Sequence, residues 1–191
     1  MLLCSVMVAA DTFDADMRAL QGLVHPALLL PSIVLRPDSA LKTPIPTELF
    51  YQCPVVKSDV LHAIVDRDPR FDSLELRLKL ALDVAQALAT AHRFRLVHNA
   101  VRPENVLITS FARSQRSDSA VTTNAVLVGS WLGALQPRRK DVGSRHFVAP
   151  ELLAHTGEHE GTQESDVYSF GMLLYALVSR SLPFAEEHAD A

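Results

Sequence analysis

The side chains best suited to chemistry lie in one short stretch, residues 98–105, which reads His-Asn-Ala-Val-Arg-Pro-Glu-Asn. An imidazole can transfer protons, and an amide oxygen can bind a metal ion. A lone His ahead of a loop is more often a buried structural residue than a catalyst, and we expect that role for His98. One amide, that of Asn105, cannot hold Mg²⁺ without a carboxylate beside it. The stretch predicts a loop around Pro103 between two apolar flanks.

The clearest helix of the sequence precedes this loop and is predicted over residues 73–93. Ser73 is a suitable N-cap, and Asp72 with Glu75 makes a loose capping box. Apolar positions recur at helical spacing. The face that they define, which we expect to pack, consists of Leu74, Leu78, Ala81, Ala85, Leu88 and His92.

Strands, exposed loops and a second helix are predicted after the loop. Residues 112–124 are polar and serine-rich, which indicates an exposed insertion between strands, and residues 125–135 follow as a short strand and turn. The basic run Arg138-Arg139-Lys140 and residues 154–162 are typical of solvated surface loops. Residues 166–178 are apolar nearly all round, so they predict a buried central helix.

The N-terminal part is predicted to contain one helix and two strands. Residues 13–24 carry a single apolar stripe at helical spacing, and His25-Pro26 ends it. The apolar runs 28–35 and 48–56 are short, bounded by prolines and partly β-branched or aromatic, which favours strands. Residues 1–10 lack the Lys or Arg of a signal peptide, so they are interpreted as a buried strand or a frayed terminus.

The composition limits the class of protein. A chain of 191 residues suits one ordinary core, and 48% apolar with 21% charged residues excludes a wholly disordered chain. A net charge of -4 gives no indication of a nucleic-acid partner. The most apolar stretch, residues 23–35, is interrupted by His and Pro, so we expect no membrane span. Cys4 and Cys53 are too few for a disulfide scaffold or a zinc site, which favours a reducing, cytoplasmic setting.

Several short motifs together resemble the protein kinase superfamily. Residues 98–105 resemble the kinase catalytic loop, H-R-D-L-K-P-E-N, and Ala149-Pro150-Glu151 matches the A-P-E that ends the activation segment. Three further stretches are similar to the family's pattern, namely 143–147 before A-P-E, 165–171 at the start of the central αF helix, and Pro183-Phe184 after it. These motifs occur in the same order as in the family. The resemblance covers residues 73–184 well and residues 13–60 more weakly.

This resemblance implies an α+β, kinase-like fold that is reduced at both ends. Residues 1–60 would form a partial N-lobe, with an αC-like helix and two strands but without the family's first three strands. Residues 61–191 would form a partial, mainly helical C-lobe, with αE, the catalytic-loop-like segment and the activation segment, ending after αF. In such a fold His98 packs into the core, and Asp166 accepts hydrogen bonds from backbone amides of the catalytic loop. Glu151 normally pairs with an Arg of a later helix, so here we expect it to be solvated or bonded locally.

The positions that carry out phosphoryl transfer in the family depart from its pattern. The slot of the catalytic Asp, which accepts the substrate hydroxyl proton, is Ala100, and the slot of the Mg²⁺-binding Asp of D-F-G is Gly129. The first Lys of the chain is Lys42, too late for the phosphate-binding Lys, and no glycine precedes Gly22 to form a Gly-rich loop. No catalytic residue is therefore expected to be intact.

Two side chains of the family's ligand-binding set remain, Arg102 and Asn105, as vestigial nucleotide and metal contacts. Asn99 replaces the Arg that reads an activation-loop phosphate, so we do not expect control by phosphorylation of that loop. We expect no bound metal and no cofactor, with ATP and Mg²⁺ relevant only if residual binding survives.

The motifs that shape the kinase fold are retained, whereas the residues that carry out phosphoryl transfer are replaced. Three interpretations follow from this combination. The first is a non-catalytic pseudokinase that works as a binding or scaffold domain for an unidentified protein partner, with neither nucleic acid nor membrane as its ligand. The second is an atypical active Ser/Thr or Tyr protein kinase that uses ATP and takes its base and metal ligand from elsewhere. The third is an incomplete fragment of a kinase domain.

Overall fold

The computed structural model describes residues 5–8, 26–28, 33–35, 47–50, 58–113, 121–128, 142–154 and 161–184, and the statements below refer to these. The predicted helix over 13–24, the Gly129 slot and the basic run Arg138-Arg139-Lys140 lie outside the described residues.

The first described sheet is antiparallel and has three strands, β1 (Ser5–Val8), β2 (Ile33–Leu35) and β3 (Thr47–Phe50). β3 is central and pairs with both neighbours, so that Leu49 lies opposite Val6 on one side and Val34 on the other. β2 and most of β3 fall in the two apolar runs that predicted strands. β1 falls in the first ten residues, where a strand was one of the two interpretations.

The second described sheet has the order β4 (Ser58–Asp59), β5 (Val106–Arg113), β6 (Val121–Leu127), all antiparallel. The β5–β6 register shifts between Ile108 and Ser110. The C-terminal end of β6 is joined to the N-terminal part of the chain, because the Leu127 amide donates a hydrogen bond to the Ala27 carbonyl at 2.8 Å. Both strands run into the segment 112–124 that was predicted as an insertion. That prediction is too wide, since the β-branched residues at 121–123 favour an extended chain.

The described helices are α1 (Val60–Val65), α2 (Leu74–Arg93), α3 (Pro150–Ala154) and α4 (Gln163–Ser179). Short 3₁₀ segments cover Pro69–Asp72, Pro103–Asn105 and Val142–Phe147. Within the described parts of the chain, none of these helices is both long enough and apolar enough to cross a bilayer.

The predicted N-cap of α2 is present, whereas its predicted capping box is absent. The Ser73 hydroxyl accepts a hydrogen bond from the Leu76 amide at 3.3 Å. Residue N3 is thus Leu76, which has no polar group to complete a box, and Asp72 instead pairs with Arg180. A full capping box does form at α4, where the side chains of Thr162 and Ser165 each accept the other's backbone amide.

The buried face of α2 differs from the predicted one. The core side consists of Leu76, Leu80, Ala81, Val84, Ala87, Leu88 and Ala91. Leu74 and Leu78, both on the predicted face, are 48% and 46% exposed. The helix carries two apolar stripes, and its contacts with β6 and α4 bury the one that contains Leu80.

The helix α4 is also less buried than its composition predicts. Leu173, Ala176 and Leu177 are fully buried, but Val167 and Tyr175 are 61% and 53% exposed. Among the described elements, α4 packs mainly against α2 and the 3₁₀ turn Val142–Phe147. These contacts cover one face of the helix.

Candidate functional site

The start of the loop 98–105 is anchored to the first turn of α4 by one buried carboxylate. Asp166 is 1% exposed, and its two oxygens accept the backbone amides of His98 at 2.7 Å and Asn99 at 2.8 Å. The His92 Nε2 atom lies 3.0 Å from the same carboxylate. A buried carboxylate needs such partners because it has lost its water. This is the arrangement that the resemblance implied for Asp166.

The local sequence explains why two consecutive amides reach one carboxylate. Asn99 has a φ of 63°, in the left-handed region, which Asn tolerates better than most residues. A left-handed residue turns neighbouring N–H groups to the same side, where they form an anion-binding concavity. Asp166 itself lies in the first turn of α4, where a negative charge interacts favourably with the helix dipole.

A glycine next to this anchor packs tightly against the Asn99 side chain. A Cβ atom at Gly161 would lie 1.7 Å from the Asn99 Oδ1 atom and 3.2 Å from the Ser165 hydroxyl. No side chain fits there without moving Asn99. Sequence reasoning did not identify Gly161, because the need arises from a residue more than sixty positions away.

His98 is a structural residue that links the loop to the end of β6. Its ring is completely buried, its Nδ1 atom accepts the Ala100 amide at 3.2 Å, and the ring also hydrogen-bonds the backbone of Val128. Burial lowers the pKa of His98 to about 4, although the nearby Asp166 opposes this shift. At neutral pH the ring is therefore uncharged, with its proton on Nε2.

The middle of the loop closes around Ala100. The Asn105 side chain donates from Nδ2 to the Ala100 carbonyl at 2.7 Å, and the Asn105 carbonyl accepts the Val128 amide at 2.8 Å. The Ala100 residue is 9% exposed. Its methyl group can neither accept a proton nor bind a metal ion. Of the Asn105 amide, Oδ1 is the atom that could contact a ligand.

Arg102 and Glu104 contribute partly buried polar atoms to the same loop. Within the described residues, the Arg102 Nε and a Glu104 carboxylate oxygen, Oε2, are enclosed but have no hydrogen-bond partner. Unsatisfied polar atoms of this kind are uncommon, and they mark places where a ligand or water can bind.

The sequence has no carboxylate at the two positions where the family's Mg²⁺–ATP site uses one. That site needs a carboxylate together with the catalytic-loop Asn. Here the two carboxylate slots are Ala100 and Gly129. Within the described stretches, no three His, Cys, Asp or Glu side chains come close enough together to hold a metal ion.

The segment around A-P-E lies against the chain that follows α4. Phe147 and Ala149 are buried, and the His146 ring meets the Phe184 ring edge-on, with 5.3 Å between centroids. Glu151 is exposed in the first turn of α3, in keeping with the expectation that it is solvated or bonded locally.

Two buried charges that support the site were missed by sequence reasoning. Asp83, on α2, accepts the Ala125 amide of β6 at 3.1 Å and pairs with Lys79 at 2.5 Å. Arg77 donates to the carbonyls of Leu177 and Val178, at 2.9 and 2.6 Å, near the end of α4. Both are charged residues on an otherwise apolar helix face, and that was the signal available in the sequence.

Comparison with known proteins agrees with this geometry. The sequence profile of the protein kinase domain matches residues 31–191. A segment of 109 residues, 57% of this chain, is 33% identical to the serine/threonine-protein kinase PEPKR2 of Arabidopsis thaliana. That match spans 21%, about a fifth, of the length of the Arabidopsis protein. With a catalytic-loop segment anchored to α4 through Asp166 and a profile match over most of its length, the chain belongs to the protein kinase superfamily.

Proposed function

We propose that this kinase domain is a non-catalytic, cytoplasmic binding or scaffold domain that acts through a protein partner. The observation that carries the proposal is the environment of Ala100. The backbone on either side of the slot is held by His98 and Asn105, yet the slot itself contains a methyl group. The loop is thus organised, and the group that would accept the substrate proton is missing.

The missing groups are large contributors to phosphoryl transfer. A positioned general base supplies roughly 10²- to 10⁴-fold in rate. A metal ion adds several kcal/mol of charge stabilisation in the transition state. The sequence has neither carboxylate, since both slots lack an acidic side chain. Binding of Mg-ATP should accordingly be weak or absent.

A thermal-shift titration with Mg-ATP tests the nucleotide claim. A ligand that binds only the native state must raise the melting temperature with its concentration. We expect the same melting temperature with and without Mg-ATP, and the same result with ATP in EDTA. A dose-dependent rise that requires Mg²⁺ would contradict the claim.

A second candidate function is an atypical active protein kinase. The observation in its favour is that Asn105 is held in place by the loop while the Arg102 Nε has no partner among the described residues. The printed name of the Arabidopsis relative also describes a kinase. Transfer of labelled phosphate by the purified chain, lost in Arg102→Ala and Asn105→Ala, would establish this alternative. Transfer that both variants retain would come from a contaminating kinase.

A further inference from the structure

The outer side of α2 is a second apolar face, separate from the core. Along 16 residues it presents Leu74, Leu78, Leu82, Ala85 and Ala89, spaced so that all five lie on one side of the helix. The three leucines are 48%, 46% and 51% exposed. Ala85 is half-buried and Ala89 is exposed. The stripe is about 22 Å long at 1.5 Å per residue. It forms one continuous apolar surface, unlike the isolated exposed leucines that are common on protein surfaces.

The sizes of these residues follow an order that selects one kind of partner. The large side chains occupy the first half of the stripe and the small ones the second half. If a second copy of α2 lies antiparallel across a two-fold axis at Leu82, Leu78 comes within one residue, about 1.5 Å along the helix axis, of the level of the partner's Ala85, and Leu74 comes equally close to the level of the partner's Ala89. Large residues then oppose small ones, as close packing requires. Parallel pairing would set leucine on leucine at one end and alanine on alanine at the other.

The charges beside the stripe fit the same arrangement. Glu75 and Arg93 are both exposed and lie 18 residues apart, which is five helical turns, so they share one edge of the stripe at opposite ends. The two-fold axis at Leu82 brings each Glu75 to within about 7 Å, along the helix axis, of the partner's Arg93. Long side chains span that offset. Opposite charges then meet at both ends of the interface, which specifies orientation.

We propose that this chain self-associates through α2, as an antiparallel, two-fold symmetric pair of helices centred on Leu82. The occupant of the apolar face is a second copy of the chain. A two-fold interface uses the same surface on both subunits, which is what the large-to-small order and the paired charges provide. The inference does not depend on whether the domain is catalytic.

Sedimentation equilibrium of the purified chain over a range of concentrations tests the interface. We expect a monomer–dimer equilibrium, and Leu82→Glu should raise the dissociation constant by at least about tenfold because it places two like charges on the axis. Leu153→Glu is the matched control, since Leu153 on α3 is 52% exposed, and it should leave the constant within about twofold. Circular dichroism checks that both variants are folded. A monomer at every concentration, or a dimer that Leu82→Glu leaves intact, would overturn the proposal.

A charge exchange tests the register independently of the leucines. Glu75→Arg and Arg93→Glu should each weaken the dimer, and the double variant should recover most of the lost affinity. Each charge also complements the dipole of its own helix, so a purely intrahelical role predicts that the double variant is the worst of the three. That order of affinities would contradict the interface.

Cysteine crosslinking distinguishes antiparallel from parallel pairing. In a background with Cys4→Ser and Cys53→Ser, Leu82→Cys should form an intermolecular disulfide on mild oxidation. Leu74→Cys should not, because the antiparallel arrangement separates the two copies of residue 74 by about 24 Å along the axis, far beyond disulfide reach. Crosslinking at both positions would show a parallel pair, and crosslinking at neither would exclude the interface.

Discussion

Asp166 and His98 hold backbone, and neither is placed to act on a substrate. Asp166 binds two amides of the loop, and His98 joins Ala100 to the end of β6. Asn105 likewise uses its Nδ2 on the Ala100 carbonyl. At the level of single residues, the groups that shape a kinase catalytic loop are present, and the two positions that need a carboxylate contain a methyl group and a hydrogen atom.

Asp166→Asn should destabilise the fold although it changes only one non-hydrogen atom. An amide nitrogen would replace one acceptor oxygen, so one loop amide would face another donor. We expect a loss of about 3 kcal/mol, as for breaking a buried, charge-assisted set of hydrogen bonds. Urea unfolding measures it. Glu164→Gln, in the same helical turn but exposed, is the control and should lower the free energy of unfolding much less than Asp166→Asn does.

His98 should make stability depend on pH between about 4 and 6.5. The pKa of His98 is lowered from 6.5 to about 4 in the folded chain. Between these two pH values, His98 is mostly protonated in the unfolded chain and mostly unprotonated in the folded chain. The stabilisation is complete above pH 6.5, falls as the pH decreases, and levels off below about pH 4. The loss between pH 7 and pH 5 should be about 2 kcal/mol.

Comparing the native chain with His98→Gln isolates this effect, because all other titrating groups are common to both. Denaturant unfolding at pH 7 and pH 5 should show a smaller pH-dependent loss in the variant. Equal losses in the two proteins would mean that His98 does not titrate in the manner expected.

Three helices of this glycine-poor chain end in an arginine with left-handed backbone. Arg67 after α1, Arg95 after α2 and Arg180 after α4 have φ values of 50°, 58° and 56°. Glycine is the usual residue at such positions because it has no Cβ to clash. An arginine there carries backbone strain, which its charge near the helix C-terminus offsets in part.

Arg95→Gly should stabilise the chain. Relief of the left-handed strain should contribute about 1 kcal/mol, more than the exposed charge is worth. Arg95→Ala is the control, because it removes the charge and keeps the strain, and it should not stabilise. Arg180→Gly should gain less, since Arg180 also pairs with Asp72 across the fold. Thermal or urea unfolding of the three variants gives the order, and an Arg95→Gly no more stable than Arg95→Ala would contradict it.

How much the sequence predicts depends on whether the signal is local. The helix predicted over 73–93 is found as Leu74–Arg93, and its N-cap is Ser73, because periodicity and capping involve neighbours only. The predicted buried face of α2 was right at Ala81 and Leu88 but wrong at Leu74 and Leu78, since the helix has two apolar stripes and only tertiary contacts decide which is buried. The role of Asp166, which anchors the loop through two backbone amides, was predicted from the family resemblance and not from local sequence. The steric need for Gly161 depends on Asn99, far away in sequence, and could not be predicted from residues 155–165.

At the scale of the whole molecule, Arg77 joins segments about a hundred residues apart. Arg77 is buried on α2 and donates to two backbone carbonyls at the end of α4. Arg180, which follows α4, forms an ion pair with Asp72, which precedes α2. Contacts of such long range make α2 and α4 parts of one cooperative unit rather than two separately stable helices. Their amides should therefore exchange with deuterium through the same global opening.

Arg77→Met tests this cooperativity by native-state hydrogen exchange. The substitution keeps apolar length but leaves two buried carbonyls without a donor, which should cost about 2–3 kcal/mol. In one cooperative unit, the most protected amides of α2 and those of α4 lose protection equally, by roughly 30- to 150-fold for that free energy. Arg145→Met, exposed in the segment Val142–Phe147, is the matched control and should leave protection nearly unchanged. A loss of protection confined to α4 would show that the Arg77 hydrogen bonds stabilise only α4 and that α2 is stable without them.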